Sequence, residues 1–117
     1  MNANQFFIGK SNIPGAGQGI FTHVPIKAGT VVMVSFIKNE KNTGVFEDDF
    51  NQSQASGKIN HSYAPNLSSF WYKGAMYKKA IRNIAPNEEL TSNYADTMNL
   101  ISPLGYTLRM DFLWFEK

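Results

Sequence analysis

The chain has 117 residues, the size of one ordinary domain, and 43% of them are hydrophobic and 14% aromatic, so we expect one buried core and no global disorder. The formal net charge is only +2, which gives no electrostatic reason to expect a nucleic-acid-binding protein. Cysteine is absent and histidine occurs twice. Disulfides and thiolate zinc sites are therefore excluded, and we expect no metal site.

The first half of the chain is predicted to form short strands separated by turns. The segments "QFFIGK" and "GIFTHV" are predicted strands on either side of a turn rich in glycine. The strongest strand signal is "TVVMVSFI" at 30–37, because most of its residues are β-branched or apolar and Gly29 precedes it. The polar stretch that follows contains "VFEDDF", which predicts either a strand or a helical turn.

The second half of the chain predicts a hairpin and a short helix. The segments "LSSFWY" and "AMYKKAIRNI" flank the pair Lys73-Gly74, which predicts a hairpin whose second arm covers 76–84. Near the C-terminus, Ser102 is a candidate N-cap with Pro103 at the first helical position. Many short strands, frequent turns and little helix indicate a β-rich domain, either a barrel or stacked small sheets.

The first motif is "IPGAGQGIF" at 13–21, in which glycine occupies every second position from Gly15 to Gly19. The dinucleotide-binding fingerprint does not fit, because it needs glycine where Ile20 stands and a strand–loop–helix context. Two interpretations remain. The segment is either a flexible hairpin or a bare backbone that can approach a ligand closely.

The second motif is "KINHSYAPN" at 58–66, which concentrates polar side chains in a few positions. Asn60, His61 and Asn66 offer amide and imidazole groups that can donate and accept hydrogen bonds. These groups either satisfy a buried turn or hold the polar groups of a ligand.

The third motif is "NEELTSNYAD" at 87–96. Glu88 and Glu89 are adjacent, and adjacent side chains on a strand point to opposite faces, which argues against a catalytic carboxylate pair. Tyr94 is either a packing tyrosine or a phenol that positions a reacting group.

The order of the three motifs resembles that of the SET domain family of protein lysine methyltransferases. The matching segments are "GQGIF" (17–21), "NHSYAPN" (60–66) and "NEELTSNY" (87–94), and the resemblance covers about residues 8–96. It implies one SET domain over 1–117, with a mainly β fold of small curved sheets and few short helices. It also implies a pseudoknot, in which the Asn60 segment is threaded beneath a loop near the C-terminus.

The resemblance implies an S-adenosylmethionine-dependent protein lysine N-methyltransferase that transfers a methyl group in line to a deprotonated lysine. Histone tails are the usual substrates of the family. The resemblance assigns the cofactor site to these residues: Ala16, Gly17, Gln18, Asn60, His61 and Tyr94.

Each of these residues has an implied role. Backbone groups of the glycine-rich turn would hold the methionine end of the cofactor, the Asn60 side chain its amino group, and the backbone around His61 its adenine. Tyr94 would be the catalytic residue, beside the transferred methyl group and lining the lysine channel.

The chain also departs from the family pattern. A cysteine-rich zinc module that often follows the catalytic tyrosine is absent, so we expect the tail 97–117, with "MDFLWF" and its Trp114, to close the site. Trp114 is therefore a further candidate residue of the cofactor site, and it would close either its own site or that of a second copy in a homodimer, or else pack into the core. Ser92 stands where an aromatic residue often limits the number of methyl groups transferred. These departures leave two alternatives, an inactive SET-fold binding or scaffolding module and a methyltransferase of a non-histone protein.

The N-terminal residues contain no apolar stretch long enough for a signal peptide, and no segment approaches the ~18 apolar residues of a membrane-spanning helix. We therefore expect an intracellular protein that is not secreted and has no membrane partner. A chain this minimal is similar to the stand-alone SET proteins of viruses and some bacteria, which implies the cytoplasm or nucleus of a host cell.

Overall fold

The structure of the protein is a computed structural model that describes residues 1–108. At its N-terminal end, β1 (Phe6–Lys10) and β2 (Gln18–Thr22) form an antiparallel hairpin. The turn between them contains Gly15 and Gly17, whose φ angles of 77° and 73° lie in the left-handed region that favours glycine. The two strands predicted around the glycine-rich turn are therefore confirmed.

A larger sheet lies beside this hairpin and contains, within the described range, six strands: β3 (Val31–Lys38), β4 (Phe50–Gln52), β5 (Asn60–His61), β6 (Leu67–Tyr72), β7 (Ala75–Ala80) and β8 (Thr91–Ser92). They lie in the order β4-β3-β7-β6-β8-β5. The pairs β3–β4, β3–β7 and β6–β7 are antiparallel, whereas β8 is parallel to both of its neighbours. Since parallel strands require crossover connections, β8 is where distant parts of the chain meet.

The predicted hairpin is formed by β6 and β7. Its turn residues Lys73 and Gly74 have φ angles of 48° and 79°, and two positive values suit the twist of a two-residue hairpin turn. The predicted second arm was too long, because β7 ends at Ala80. Ile84, its predicted last residue, instead pairs with Ile26, whose N–H donates to the Ile84 carbonyl at 2.9 Å.

The two α-helices of the described residues are short. The segment "VFEDDF" forms both of the predicted alternatives, first α1 (Phe46–Asp49) and then β4. The second helix, α2 (Tyr94–Ile101), was not predicted from the sequence, and the Asn93 side chain caps its first turn by accepting from the Ala95 N–H. Ser102 is the first residue of a short 3-10 helix (Ser102–Leu104) and not, as predicted, its N-cap. Its N–H donates to the Met98 carbonyl, so Ser102 stands at the C-terminal end of α2.

Two apolar clusters form the core of residues 1–108. One joins the N-terminal hairpin to the larger sheet and contains Ile20, Ile26, Val32, Ile59, Leu67, Ala80, Ile84 and Leu90. The other lies between the sheet and the helices and contains Phe36, Phe46, Phe50, Met76 and Ile101. The mainly β fold with small sheets and few short helices, expected from the sequence, is confirmed.

Truncation of Phe46 tests the second cluster. Its ring is fully buried, 4.5 Å from the ring of Phe50 and 4.9 Å from that of Phe36. We expect Phe46→Ala to lower the free energy of unfolding by about 3–5 kcal/mol, because it leaves a cavity. Urea denaturation measures this loss. The control Ile37→Ala, at a side chain that is 51% exposed, should change stability far less, and an equal loss in both variants would contradict the packing described.

Candidate functional site

The second and third sequence motifs meet at the pairing of β5 with β8. Asn60 pairs with Thr91 and His61 with Ser92. Because the strands are parallel, both segments leave the sheet at the same end, which brings the imidazole of His61 to the residue that starts α2. The backbone N–H of Tyr94 donates to His61 Nδ1 at 3.1 Å, and the two ring centroids lie 5.2 Å apart.

The first motif is joined to the second through the Asn60 side chain. Asn60 Nδ2 donates to the Gln18 carbonyl at 2.9 Å and to Glu89 Oε2 at 3.0 Å. Gln18 is the first residue of β2, directly after the glycine-rich turn. Asn60 therefore bonds Gln18 directly, and its chain neighbour His61 bonds Tyr94. These contacts connect three residues that lie far apart along the chain.

Glu89 is the residue that the sequence analysis missed. Its carboxylate is almost fully buried and accepts hydrogen bonds from Ser11 Oγ at 2.7 Å, from the Asn12 N–H at 2.8 Å and from Asn60. The carboxylate thereby fixes the start of the glycine-rich turn against β5. The carboxylate of its neighbour Glu88 does not join this cluster. It accepts a hydrogen bond from Arg82 at 2.5 Å, and this bond lowers the pKa of the Glu88 carboxyl.

Gly19 and Gly17 are required for different physical reasons. A Cβ atom on Gly19 would lie 2.4 Å from Glu89 Oε2 and 3.1 Å from Asn60 Nδ2. Such a contact would displace the carboxylate or the strand. Gly17 has open space around it but a left-handed backbone, so a side chain there would strain the turn rather than collide.

An open groove of about 850 Å³ runs along the glycine-rich turn and is lined by residues of the segment 9–18. Gly17 and Gln18 line it, whereas Ala16 does not, and its N–H donates to the Ile13 carbonyl at 3.1 Å. Asn60, His61 and Tyr94 are not among the lining residues. Asn60 reaches the groove only through its bond to the Gln18 carbonyl.

Tyr94 is held as a neutral phenol. Its hydroxyl donates to the Ile59 carbonyl, and burial raises the pKa of Tyr94 to about 12. The residue is also the first of α2, so its backbone direction is fixed by the helix and by His61. A phenol in this state can orient a neighbouring group but does not act as a base near neutral pH.

Asn66, the last polar residue of the second motif, serves the fold. Its side chain is buried, with Nδ2 donating to the Glu89 carbonyl at 2.8 Å and Oδ1 accepting from the Thr91 N–H at 2.9 Å. Both hydrogen-bonding ends of its amide are therefore used to secure the strand that precedes Tyr94. For this residue the interpretation as a satisfied buried turn is correct.

The remaining sequence expectations concern the tail, metals and membranes. Trp114 lies outside the described residues. Among residues 1–108, His, Asp and Glu side chains form no group of three or more that could hold a metal ion. The helices of the same range are too short or too polar to cross a membrane.

The profile of the SET domain family matches residues 36–95, just over half of the chain. A search of curated protein sequences returns no match. The match contains the second motif and residues 87–95 of the third, including Glu89, whereas the glycine-rich turn lies outside it.

Solved structures of similar fold come from several organisms. The methyltransferase domain of human PR domain-containing protein 2 is 17% identical, with 75% of each chain covered and a TM-score of 0.58. A candidate histone methyltransferase of Plasmodium falciparum is 23% identical, with 76% of this chain and 96% of that one covered and a TM-score of 0.57. Chaetomium thermophilum Polycomb Repressive Complex 2, bound to S-adenosylmethionine, is 22% identical over 84% of this chain and 16% of that one, with a TM-score of 0.60. At such identities the similarity concerns the fold.

The contact between Gly19 and Glu89 can be tested by adding one methyl group. We expect Gly19→Ala to lower the free energy of unfolding by about 1–3 kcal/mol, because a buried carboxylate would lose hydrogen bonds. Thermal or urea unfolding measures the change. Gly57→Ala is the matched control, since its Cβ would come no closer than 3.8 Å to the Gln52 side chain. If Gly19→Ala unfolds like the wild type, the close approach of Glu89 is refuted.

Proposed function

Because the chain belongs to the SET domain family, we propose that it is an S-adenosylmethionine-dependent protein lysine N-methyltransferase formed by one domain over residues 1–117. The observation that carries the proposal is the convergence of three distant segments. Asn60 bonds the Gln18 carbonyl on one side, and its neighbour His61 accepts the Tyr94 N–H on the other.

The residues present suit the methionine end of S-adenosylmethionine. Asn60 Nδ2 is directed at Gln18 and Glu89, so the amide oxygen points to the other side, where an acceptor suits an ammonium group. The buried Glu89 carboxylate adds negative charge that favours the same cation. Gly17 leaves its backbone open to close approach. We assign Ala16, Gly17, Gln18, Asn60, His61 and Tyr94 to the cofactor site, together with Trp114 of the tail.

Bound S-adenosylmethionine would supply an electrophilic methyl group on a positively charged sulfur. The task left to the chain is to present a lysine nitrogen with its lone pair free. At neutral pH fewer than about one lysine in a thousand is deprotonated in water, and a partly dry site next to a cation raises that fraction.

Tyr94 is proposed as the catalytic residue through orientation and electrostatics. Its pKa of about 12 keeps the phenol protonated, so it takes no proton from the lysine. The Ile59 carbonyl and the start of α2 hold the ring in one direction. Most of the acceleration would come from alignment of the lysine nitrogen with the methyl group, a term that reaches several powers of ten.

The substrate is proposed to be a lysine-containing protein segment, with histone tails as the first class to examine. Two of the related folds come from proteins described as a methyltransferase domain and a candidate histone methyltransferase. A non-histone protein is the alternative substrate, and an inactive binding module is the alternative function.

Transfer of labelled methyl groups tests the activity. Incubation of the protein with tritiated S-adenosylmethionine and a panel of histones or a cell lysate should label lysine on a protein. Tyr94→Phe should reduce the rate about 100-fold, the scale on which removal of one positioned hydroxyl acts. Tyr72→Phe is the control, because that side chain is 54% exposed and should leave the rate unchanged. An absence of label on every protein would favour the inactive module.

Deletion of residues 109–117 tests the proposed contribution of Trp114. These residues lie outside the described part of the chain. We expect the deletion to abolish labelling while thermal unfolding still shows a cooperative transition, because the tail is proposed to close the site. Trp114→Ala should lose most of the activity by itself. Full activity in the truncated protein would remove Trp114 from the cofactor site.

A further inference from the structure

Lys78 is a buried lysine whose ammonium is surrounded by hydroxyl groups. It lies on β7 with only 4% of its surface exposed, whereas Lys79 points outward from the next position. Its Nζ donates to Ser69 Oγ at 2.7 Å, to Ser92 Oγ at 3.0 Å and to Thr97 Oγ1 at 3.3 Å. An ammonium group has three donors. All three are used, which is the condition under which a buried charge is tolerated.

The three hydroxyls belong to three different elements. Ser69 lies on β6, Ser92 on β8 and Thr97 on α2, so a single ammonium joins these elements to β7. Two of the contacts flank Tyr94, since Ser92 precedes it by two positions and Thr97 follows it within the first turn of α2. The ammonium thus fixes the direction in which the chain passes from the sheet into the helix.

Ser92 also links this cluster to the imidazole next to Tyr94. It pairs with His61 in the β5–β8 ladder, and its carbonyl accepts from the Ser62 N–H at 3.0 Å. His61 Nδ1 in turn accepts from the Tyr94 N–H. A shift of Ser92 would therefore move both the imidazole and the start of α2.

We propose that Lys78 is a positioning residue for Tyr94, acting through the hydroxyls of Ser92 and Thr97. The inference rests on the proposed role of Tyr94 as the catalytic residue. On this proposal Lys78 contacts neither cofactor nor substrate, but it sets the position of Tyr94, which does.

Electrostatics make this arrangement sensitive to pH. Burial lowers the pKa of Lys78 to about 8, and the charge of Asp96 on α2 partly opposes that effect. From β6 and β8 the ammonium meets the neutral hydroxyls of Ser69 and Ser92, and Tyr94 is the other titratable group on α2. Above about pH 8 the neutral amine has two donors instead of three, so one of the three bonds must be lost or reversed.

The expected consequence is an alkaline limit on the reaction. As pH rises, more of the substrate lysine is deprotonated, which should raise the rate. Above about pH 8 Lys78 loses a proton and with it one of the bonds that hold Ser92 and Thr97, so Tyr94 is held less firmly. This effect lowers the rate and opposes the rise. The wild-type rate should therefore stop rising near pH 8 rather than follow the substrate lysine toward its own pKa.

The test compares Lys78→Met with Lys79→Met, the exposed neighbour on the opposite face of β7. Two measurements cover pH 6.5–9.5: kcat and KM for S-adenosylmethionine, and the NMR resonance of the Tyr94 backbone amide. In the wild type and in Lys79→Met, the amide resonance should titrate with a midpoint of about 8. In Lys78→Met that transition should disappear, and kcat should fall roughly 10- to 100-fold with a much smaller change in KM.

The amide measurement separates failure of this proposal from failure of the proposed function. If the wild type labels no protein, the enzymatic assignment fails, while the amide titration still reports whether Lys78 controls the position of Tyr94. If Lys78→Met keeps the wild-type titration, or keeps the wild-type kcat and pH profile, the proposal is overturned. If Lys78→Met does not fold, Thr97→Val replaces it, because it removes one hydroxyl and preserves side-chain shape. An unchanged kcat and midpoint in Thr97→Val would then overturn the proposal.

The pH dependence of stability provides an independent check of the lowered pKa of Lys78. The folded protein releases the Lys78 proton at about pH 8, whereas the unfolded chain keeps it to about pH 10.5. Between these values the unfolded state binds more protons, so the free energy of unfolding attributable to Lys78 should rise with pH. Urea denaturation between pH 8 and 10 should show this rise in the wild type and in Lys79→Met but not in Lys78→Met. The raised pKa of Tyr94 acts in the opposite direction only from about pH 10 to 12.

Discussion

One buried carboxylate holds the three sequence motifs together. Glu89 is almost removed from solvent, and its oxygens accept hydrogen bonds from Ser11, Asn12 and Asn60. A buried carboxylate costs several kcal/mol unless its charge is satisfied, so the stable arrangement has all three donors in place at once. Gly19 belongs to the same constraint, because a side chain there would occupy the space of the carboxylate. The hydrogen bonds that the Glu89 carboxylate accepts, together with apolar packing, therefore bring the three motifs together.

One of the two shortest strands of the sheet, β8, depends strongly on such polar contacts. The strand β8 contains only Thr91 and Ser92, and two residues of ladder are too few to hold a register by themselves. Glu89 anchors the chain before the strand, the Asn66 amide bonds the Thr91 N–H, and the Lys78 ammonium bonds the Ser92 hydroxyl. A carboxylate at one end and an ammonium at the other thus fix the segment that leads into the candidate site.

Local sequence signals predicted the features that local chemistry determines. The turn at Lys73-Gly74 could be located because glycine readily adopts the positive φ angle that such a turn needs and two strand-like segments flank the pair. The start of α2 could not, since Asn93 and Ser102 are both good N-cap residues and only tertiary packing selects between them. Glu88 and Glu89 are likewise equivalent in sequence, although one meets Arg82 near the surface and the other is buried. For the candidate site, the proximity of the three motifs was expected from the family resemblance and from no local pattern.

The distribution of charge around the candidate site suits the proposed chemistry. Beside Asn60, the Glu89 carboxylate supplies negative charge where a cationic amino group would be held. Beside Tyr94 the environment is different, because the phenol is neutral and the Asp96 carboxylate on the same helix interacts with the Lys78 ammonium. A substrate lysine near Tyr94 would therefore gain little from carrying a proton. On the proposed assignment, the Glu89 carboxylate lies where the amino group of the cofactor must stay bound as a cation. No such unpaired carboxylate is assigned to the place near Tyr94 where the substrate lysine must lose its proton.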